Sequence, residues 1–81
     1  MVRFAELRDR LVARLRDEVR SGQVTERGLA RRTGISQPHV HNVLKGKKSF
    51  SIEMCDTILR AMKLDLVDLL DPADLNRLAR R

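Results

Sequence analysis

A chain of 81 residues, 42% hydrophobic and 35% charged, holds one mainly aliphatic core burying about two thirds of its unfolded surface, and is expected to be a single domain over residues 1–81. Two phenylalanines, with no tryptophan or tyrosine, leave little to stack unpaired bases on, so single strands and RNA loops are poor partners, whereas a net charge of +6 suits duplex DNA. No run approaches the roughly eighteen apolar residues of a membrane span, no signal-peptide pattern opens the chain and one cysteine cannot form an internal disulfide, so a soluble cytoplasmic protein is expected.

Charge is unevenly placed. Residues 1–20 carry six basic and four acidic side chains, residues 21–50 six and one, and residues 51–81 five and six. The positive charge therefore peaks in the middle of the chain.

Phe4, Leu7, Leu11, Val12, Leu15 and Val19 recur at three- and four-residue steps, which predicts an amphipathic first helix running to about Ser21 and closing at Gly22. Its other face is arginine-rich. Arg3, Arg8, Arg10, Arg14, Arg16 and Arg20 read either as a solvated face paired with Glu6, Asp9, Asp17 and Glu18, for example Glu6 with Arg10 at i,i+4, or as including one or two phosphate contacts near a helix end.

From Val24 to Gly46, VTERGLARRTGISQPHVHNVLKG spells two short helices joined by a tight turn. Thr25 is a natural N-cap and Gly34 tolerates the left-handed conformation at a helix end, so a helix is expected over 25–33. Ile35 follows as an apolar plug. Ser36 is a second N-cap, and Pro38 in the first turn costs little because amides there lack helical partners anyway, so a helix is expected over 37–45. Val40, Val43 and Leu44 form its apolar face, and Gln37, His39, His41, Asn42 and Lys45 lie opposite, where a helix held in a major groove would present them to base edges.

Lys45, Lys47 and Lys48 surround Gly46 in a loop before Ser51, the N-cap of a fourth helix. Phe50 and Ile52 are expected as its apolar lid, and Cys55, Ile58, Leu59 and Met62 as core. Asp65 can cap a short fifth helix through Leu66, Leu69 and Leu70. Asp71 before Pro72, with Asp74 in the first turn, predicts a sixth helix over 72–80 with Leu75, Leu78 and Ala79 on its apolar edge, which either packs back on its own domain or serves a dimer contact.

Chemistry concentrates on the helix from Gln37. The amides of Gln37 and Asn42 can each bond adenine through N6 and N7, and the Pro38 ring can meet a thymine methyl. His41 could reach a base or a phosphate, gaining charge as pH falls. His39 and His41 point to different sides and no Cys, Asp or Glu set with zinc spacing accompanies them, so no metal or cofactor is expected. With no glycine-rich phosphate loop and no nucleophile beside a base, the chain does not read as an enzyme.

The segment LARRTGISQPHVHNVLKG resembles the phage repressor and Cro family of helix-turn-helix regulators, also called the xenobiotic-response-element family. Ala30, Gly34, Ile35, Val40, Leu44 and Gly46 carry the resemblance, and ILRAMKLDLVDLL extends it, so that it covers Thr25 to Leu70. It implies an all-α fold, a compact five- to six-helix bundle of the lambda-repressor-like type in which helices 2 and 3 form the helix-turn-helix. Gln37 and Asn42 match base-reading positions of the family, and the lysine loop matches a segment that grips the DNA backbone. Two departures stand out. Pro38 replaces a polar reader, and Glu26 replaces a glutamine that donates to phosphate; a carboxylate cannot, so Arg27, the Thr25 hydroxyl and nearby amides are its substitutes. Glu26 could instead accept from a cytosine amino group or orient Gln37.

These readings place base contacts at Gln37, Pro38, His41 and Asn42, and backbone contacts at Thr25, Arg27, Ser36, His39, Lys45, Lys47 and Lys48. The expected protein is a sequence-specific double-stranded DNA-binding transcriptional repressor acting as a homodimer. The alternatives are an antitoxin-like module that binds a protein partner and a non-specific architectural DNA binder.

Overall fold

The computed structural model describes residues 2–79, except for the side chain of Leu78. Over these residues the chain is all-helical: α1 (Phe4–Arg20), α2 (Glu26–Thr33), α3 (Gln37–Leu44), α4 (Ile52–Ala61), a 3-10 turn (Leu66–Leu69) and α5 (Pro72–Ala79). The boundaries follow local chemistry. The Thr25 hydroxyl accepts from Gly28 N–H at 2.9 Å, Ser36 from His39 N–H at 3.3 Å and Ser51 from Met54 N–H at 3.1 Å, so α2, α3 and α4 each open on a side-chain cap. Gly34, at φ 76°, ends α2 in the left-handed conformation and turns the chain directly towards α3.

The core is aliphatic around one aromatic ring. Leu11 and Leu15 of α1, Leu29 of α2, Val40, Val43 and Leu44 of α3, and Cys55, Ile58 and Leu59 of α4 are buried together with Ile35, Phe50 and Leu69. Burial pushes the Cys55 thiol above its ordinary range, leaving it a small hydrophobe. Helix α2 packs on α3 and α4, while α1 crosses α3 and the 3-10 turn. Two arginines reinforce these crossings by bonding exposed helix ends: Arg16 Nε donates to Leu44 O at 3.0 Å and Arg32 Nη2 to Ala61 O at 3.4 Å.

Three expectations change. Ile52 is 58% exposed, because Phe50, at 1%, already fills that end of the core. Phe4, the first residue of the predicted apolar stripe, is 45% exposed and lies beyond the core reached by Leu7 and Leu11. The segment after Asp65 is a 3-10 turn of four residues in place of an α-helix. Pro72 follows too closely for further turns, and Asp68 Oδ2 accepts from Asp65 N–H at 2.7 Å.

The last helix is attached by a buried charge. Asp74 is 0% exposed and accepts from Arg10 of α1, from Arg77 Nη2 at 2.7 Å and from Asp71 N–H at 3.1 Å, while Asp71 Oδ1 accepts from Asp74 N–H at 2.8 Å. Arg10 also donates to Leu69 O at 3.0 Å, and its predicted partner Glu6 stands at 3.8 Å. α5 is thus tied back to α1, as one of the two readings of the tail expects; the side chain of Leu78, part of its predicted edge, and residue 80, its predicted end, lie outside the described residues.

The Arg10 hydrogen bond, aided by the Asp71 amide, holds the Asp74 carboxyl down at about 2, from an ordinary 3.8. A carboxyl lowered on folding stabilises the fold above its unfolded value and loses that contribution as pH falls through the folded one. Melting temperature should therefore drop between pH about 4 and about 2, and Asp74→Asn should be less stable than wild type above about pH 4 and lose this part of the drop. Melting curves across that range for both proteins check it; equal acid sensitivity would remove Asp74 from the account.

Candidate nucleic-acid interface

Burial of Val40, Val43 and Leu44 fixes which way α3 faces. Gln37, Pro38 and His41 are exposed and Asn42 is half-buried, and these four line one shallow hollow with Glu26 at the start of α2. Their spacing explains the grouping, since Gln37 with His41 and Pro38 with Asn42 are i,i+4 pairs on one helix face. The four sequence-predicted base readers therefore stand side by side.

The proposed backbone residues are more dispersed. Lys45, Lys47 and Lys48 are exposed at the C-terminal end of α3 and in the following loop, whose shape is held by Asn42 O accepting from Lys47 N–H at 2.8 Å and Lys48 N–H at 3.3 Å. Gly46, at φ 81°, supplies the left-handed residue this reversal needs. Arg27 is exposed beside Glu26. The hydroxyls of Thr25 and Ser36 accept from Gly28 N–H and His39 N–H as helix caps, so each keeps only its own O–H to donate outward.

His39 is placed differently from the other polar residues of α3. Its ring lies against Phe50, with centroids 5.9 Å apart and planes at 57°, and its Nε2 is buried with no hydrogen-bond partner. It faces the core side of the α3–α4 loop, away from the hollow holding His41. His41 instead turns Nδ1 to Glu26, 3.0 Å from Oε1 and 3.3 Å from Oε2. Glu26 is thus bonded to His41, whereas the sequence suggested Gln37 or a cytosine.

Packing also singles out two of the α1 arginines that the sequence offered as phosphate contacts without locating them. Arg16 and Arg20 of α1 line a second hollow with Lys45, Leu44 and Glu26, so Glu26 borders both hollows and a strip of cations continues from α3 onto α1. The surface as a whole offers hydrogen-bonding amides and imidazole on the exposed face of α3, flanked by lysine and arginine, which suits base edges between two phosphate strands. Among the described residues no helix is long and apolar enough to cross a membrane.

A family model described as helix-turn-helix matches residues 15–69, from the second half of α1 to the end of the 3-10 turn. Comparison with curated proteins and with solved structures gives no match.

Proposed function

This chain belongs to the helix-turn-helix family of the phage repressor and Cro type, a DNA-binding family, and from that premise we propose that it is a sequence-specific transcriptional repressor reading the major groove with α3. The observation that carries the proposal is the grouping of Gln37, Pro38, His41 and Asn42 on the exposed face of a helix whose opposite face is buried. In this reading Gln37 and Asn42 bond adenine, Pro38 meets a thymine methyl and His41 reaches a third base. Lys45, Lys47, Lys48 and Arg27, with the hydroxyls of Thr25 and Ser36, hold the phosphates, and His39 braces the loop that carries the lysines.

Two copies would bind a two-fold operator with half-sites about one helical turn, or about 34 Å, apart. Leu66 at 48%, Val67 at 60% and Leu75 at 43% exposure offer apolar surface on the 3-10 turn and α5 for two copies to bury. Repression by occupancy needs only this DNA-binding surface.

Selection from a randomised duplex pool tests the reading. Wild type should yield a two-fold motif, and Gln37→Ala should relax one position in each half-site, since a bidentate base contact is worth about 1–3 kcal/mol, or roughly 5- to 150-fold, per half-site. Recovery of no motif, with affinity still falling steeply as salt rises, would mean backbone-only binding and sink the sequence-specific regulator.

A further inference from the structure

The imidazole of His41 is committed at one nitrogen. Nδ1 meets both oxygens of the Glu26 carboxylate, which offers lone pairs and no proton, so the hydrogen in this bond belongs to Nδ1. A hydrogen bond at one ring nitrogen decides the state of the other. When the ring holds one proton it is on Nδ1, and Nε2 shows a lone pair; when it holds two, Nε2 is a donor. The side chain is 49% exposed, and among the described residues no protein group bonds Nε2. The ring shares the hollow with Gln37, Pro38 and Asn42.

We propose that Glu26 locks the tautomer of His41 and thereby makes His41 a proton-dependent base reader. The neutral ring accepts from the exocyclic amino group of adenine or cytosine, and the protonated ring donates to N7 of guanine or adenine, to guanine O6 or to thymine O4. Glu26 is a positioning residue and His41 the reader. The inference rests on the DNA-reading function proposed above and adds what sets the specificity of one position.

The charged surroundings leave the pair without a competitor. From α1, Arg16 and Arg20 line the hollow on the far side of Glu26; from α3, Lys45 joins them; on α2, Arg27 follows Glu26 in the chain; α4 contributes to neither hollow. All four are cations, and none can accept from the ring, so Glu26 is the one charged acceptor His41 meets there. Gln37 can present either the oxygen or the nitrogen of its amide, but a locked imidazole presents one polarity at a time. The exchange of polarity costs one proton.

The tautomer can be read directly in the free protein from the ring nitrogen shifts of His41 in long-range proton–nitrogen NMR spectra. At about pH 8 the expected state is a proton on Nδ1 and none on Nε2, and Glu26→Gln should lose that dominance because an amide can either donate or accept. Selection from the randomised duplex pool at about pH 8 and about pH 5.5 then reads the consequence. One base position in the selected site should change from cytosine, which shows only a donor, to guanine or thymine, which show only acceptors, a roughly tenfold reversal of preference, while adenine, which shows both, is accepted in either state. His41→Ala should flatten that position at both pH values, and Glu26→Gln should flatten it only at the higher one. A purely structural role for Glu26 would not produce that split. A wild-type tautomer with the proton on Nε2, or an unchanged ratio of cytosine to guanine and thymine at that position between the two pH values, overturns the proposal while leaving the regulator standing; no motif at either pH overturns both.

Discussion

Phe50→Ala should lower the stability of the fold by about 3–5 kcal/mol, the cost of removing a large ring from a packed core and leaving a cavity. Phe50 is 1% exposed at the end of the α3–α4 loop, in the cluster that includes Val40 and Val43, and its ring carries His39. No other aromatic ring is buried in the described core, so neighbouring side chains have little volume with which to refill the space. Small domains are stable by about 5–15 kcal/mol in total, so at the lower end of that range the variant would keep only about 2 kcal/mol or less. At about 4–8 °C per kcal/mol, the melting temperature measured by circular dichroism should fall by roughly 12–40 °C. Phe50→Leu keeps much of the apolar volume and should lose under half as much. A drop of only a few degrees for Phe50→Ala would show that the loop is not the lid of the core.

The second large effect is on DNA affinity. Replacing Lys45, Lys47 and Lys48 together by alanine should weaken duplex binding several-hundredfold for each bound copy at about 0.1 M salt, with the selected base sequence unchanged. The magnitude follows from counterion release. Each phosphate contact adds a slope of about −0.9 to the dependence of log affinity on log salt, so three contacts are worth a slope of about −2.7 and, at about 0.1 M, roughly 500-fold. The three side chains are exposed, and the loop is held by backbone bonds to Asn42 O, so melting should hardly change. Binding isotherms at several salt concentrations check the prediction. A slope reduced by only about one would leave a single lysine on the backbone, and an unchanged slope would turn the lysine loop away from DNA.

Much of the molecule is legible in the order of its residues because the deciding interactions are short. Thr25, Ser36 and Ser51 cap helices through amides three residues away, and Gly34 closes α2 on the Ala30 carbonyl four residues back. Helical spacing puts Gln37, Pro38, His41 and Asn42 on one face, and Val40, Val43 and Leu44 on the other, before any packing is known. The same reading errs where a helix outruns its neighbours. Ile52 continues the stripe of Cys55 and Ile58 at i,i+3 and i,i+6, but periodicity carries no information about where the core ends, and Phe50 has closed it.

Residue order by itself thus determined the all-helical class, the family, the caps and the face that α3 shows. The tertiary structure alone decided the partners that charged groups find on other helices. Asp74 is in the first turn of α5 by every local rule, yet it is buried because Arg10, 64 residues earlier, bonds it. Arg16 reads as part of a solvated face until its guanidinium meets Leu44 O, 28 residues on, and Glu26 reads as a lost phosphate contact until His41, 15 residues on, occupies it. Apolar periodicity is set by the helix to which a residue belongs, whereas long charged side chains pair with whatever another helix brings within reach. That distance depends on how the helices cross, and the crossing is fixed only when the whole core is packed.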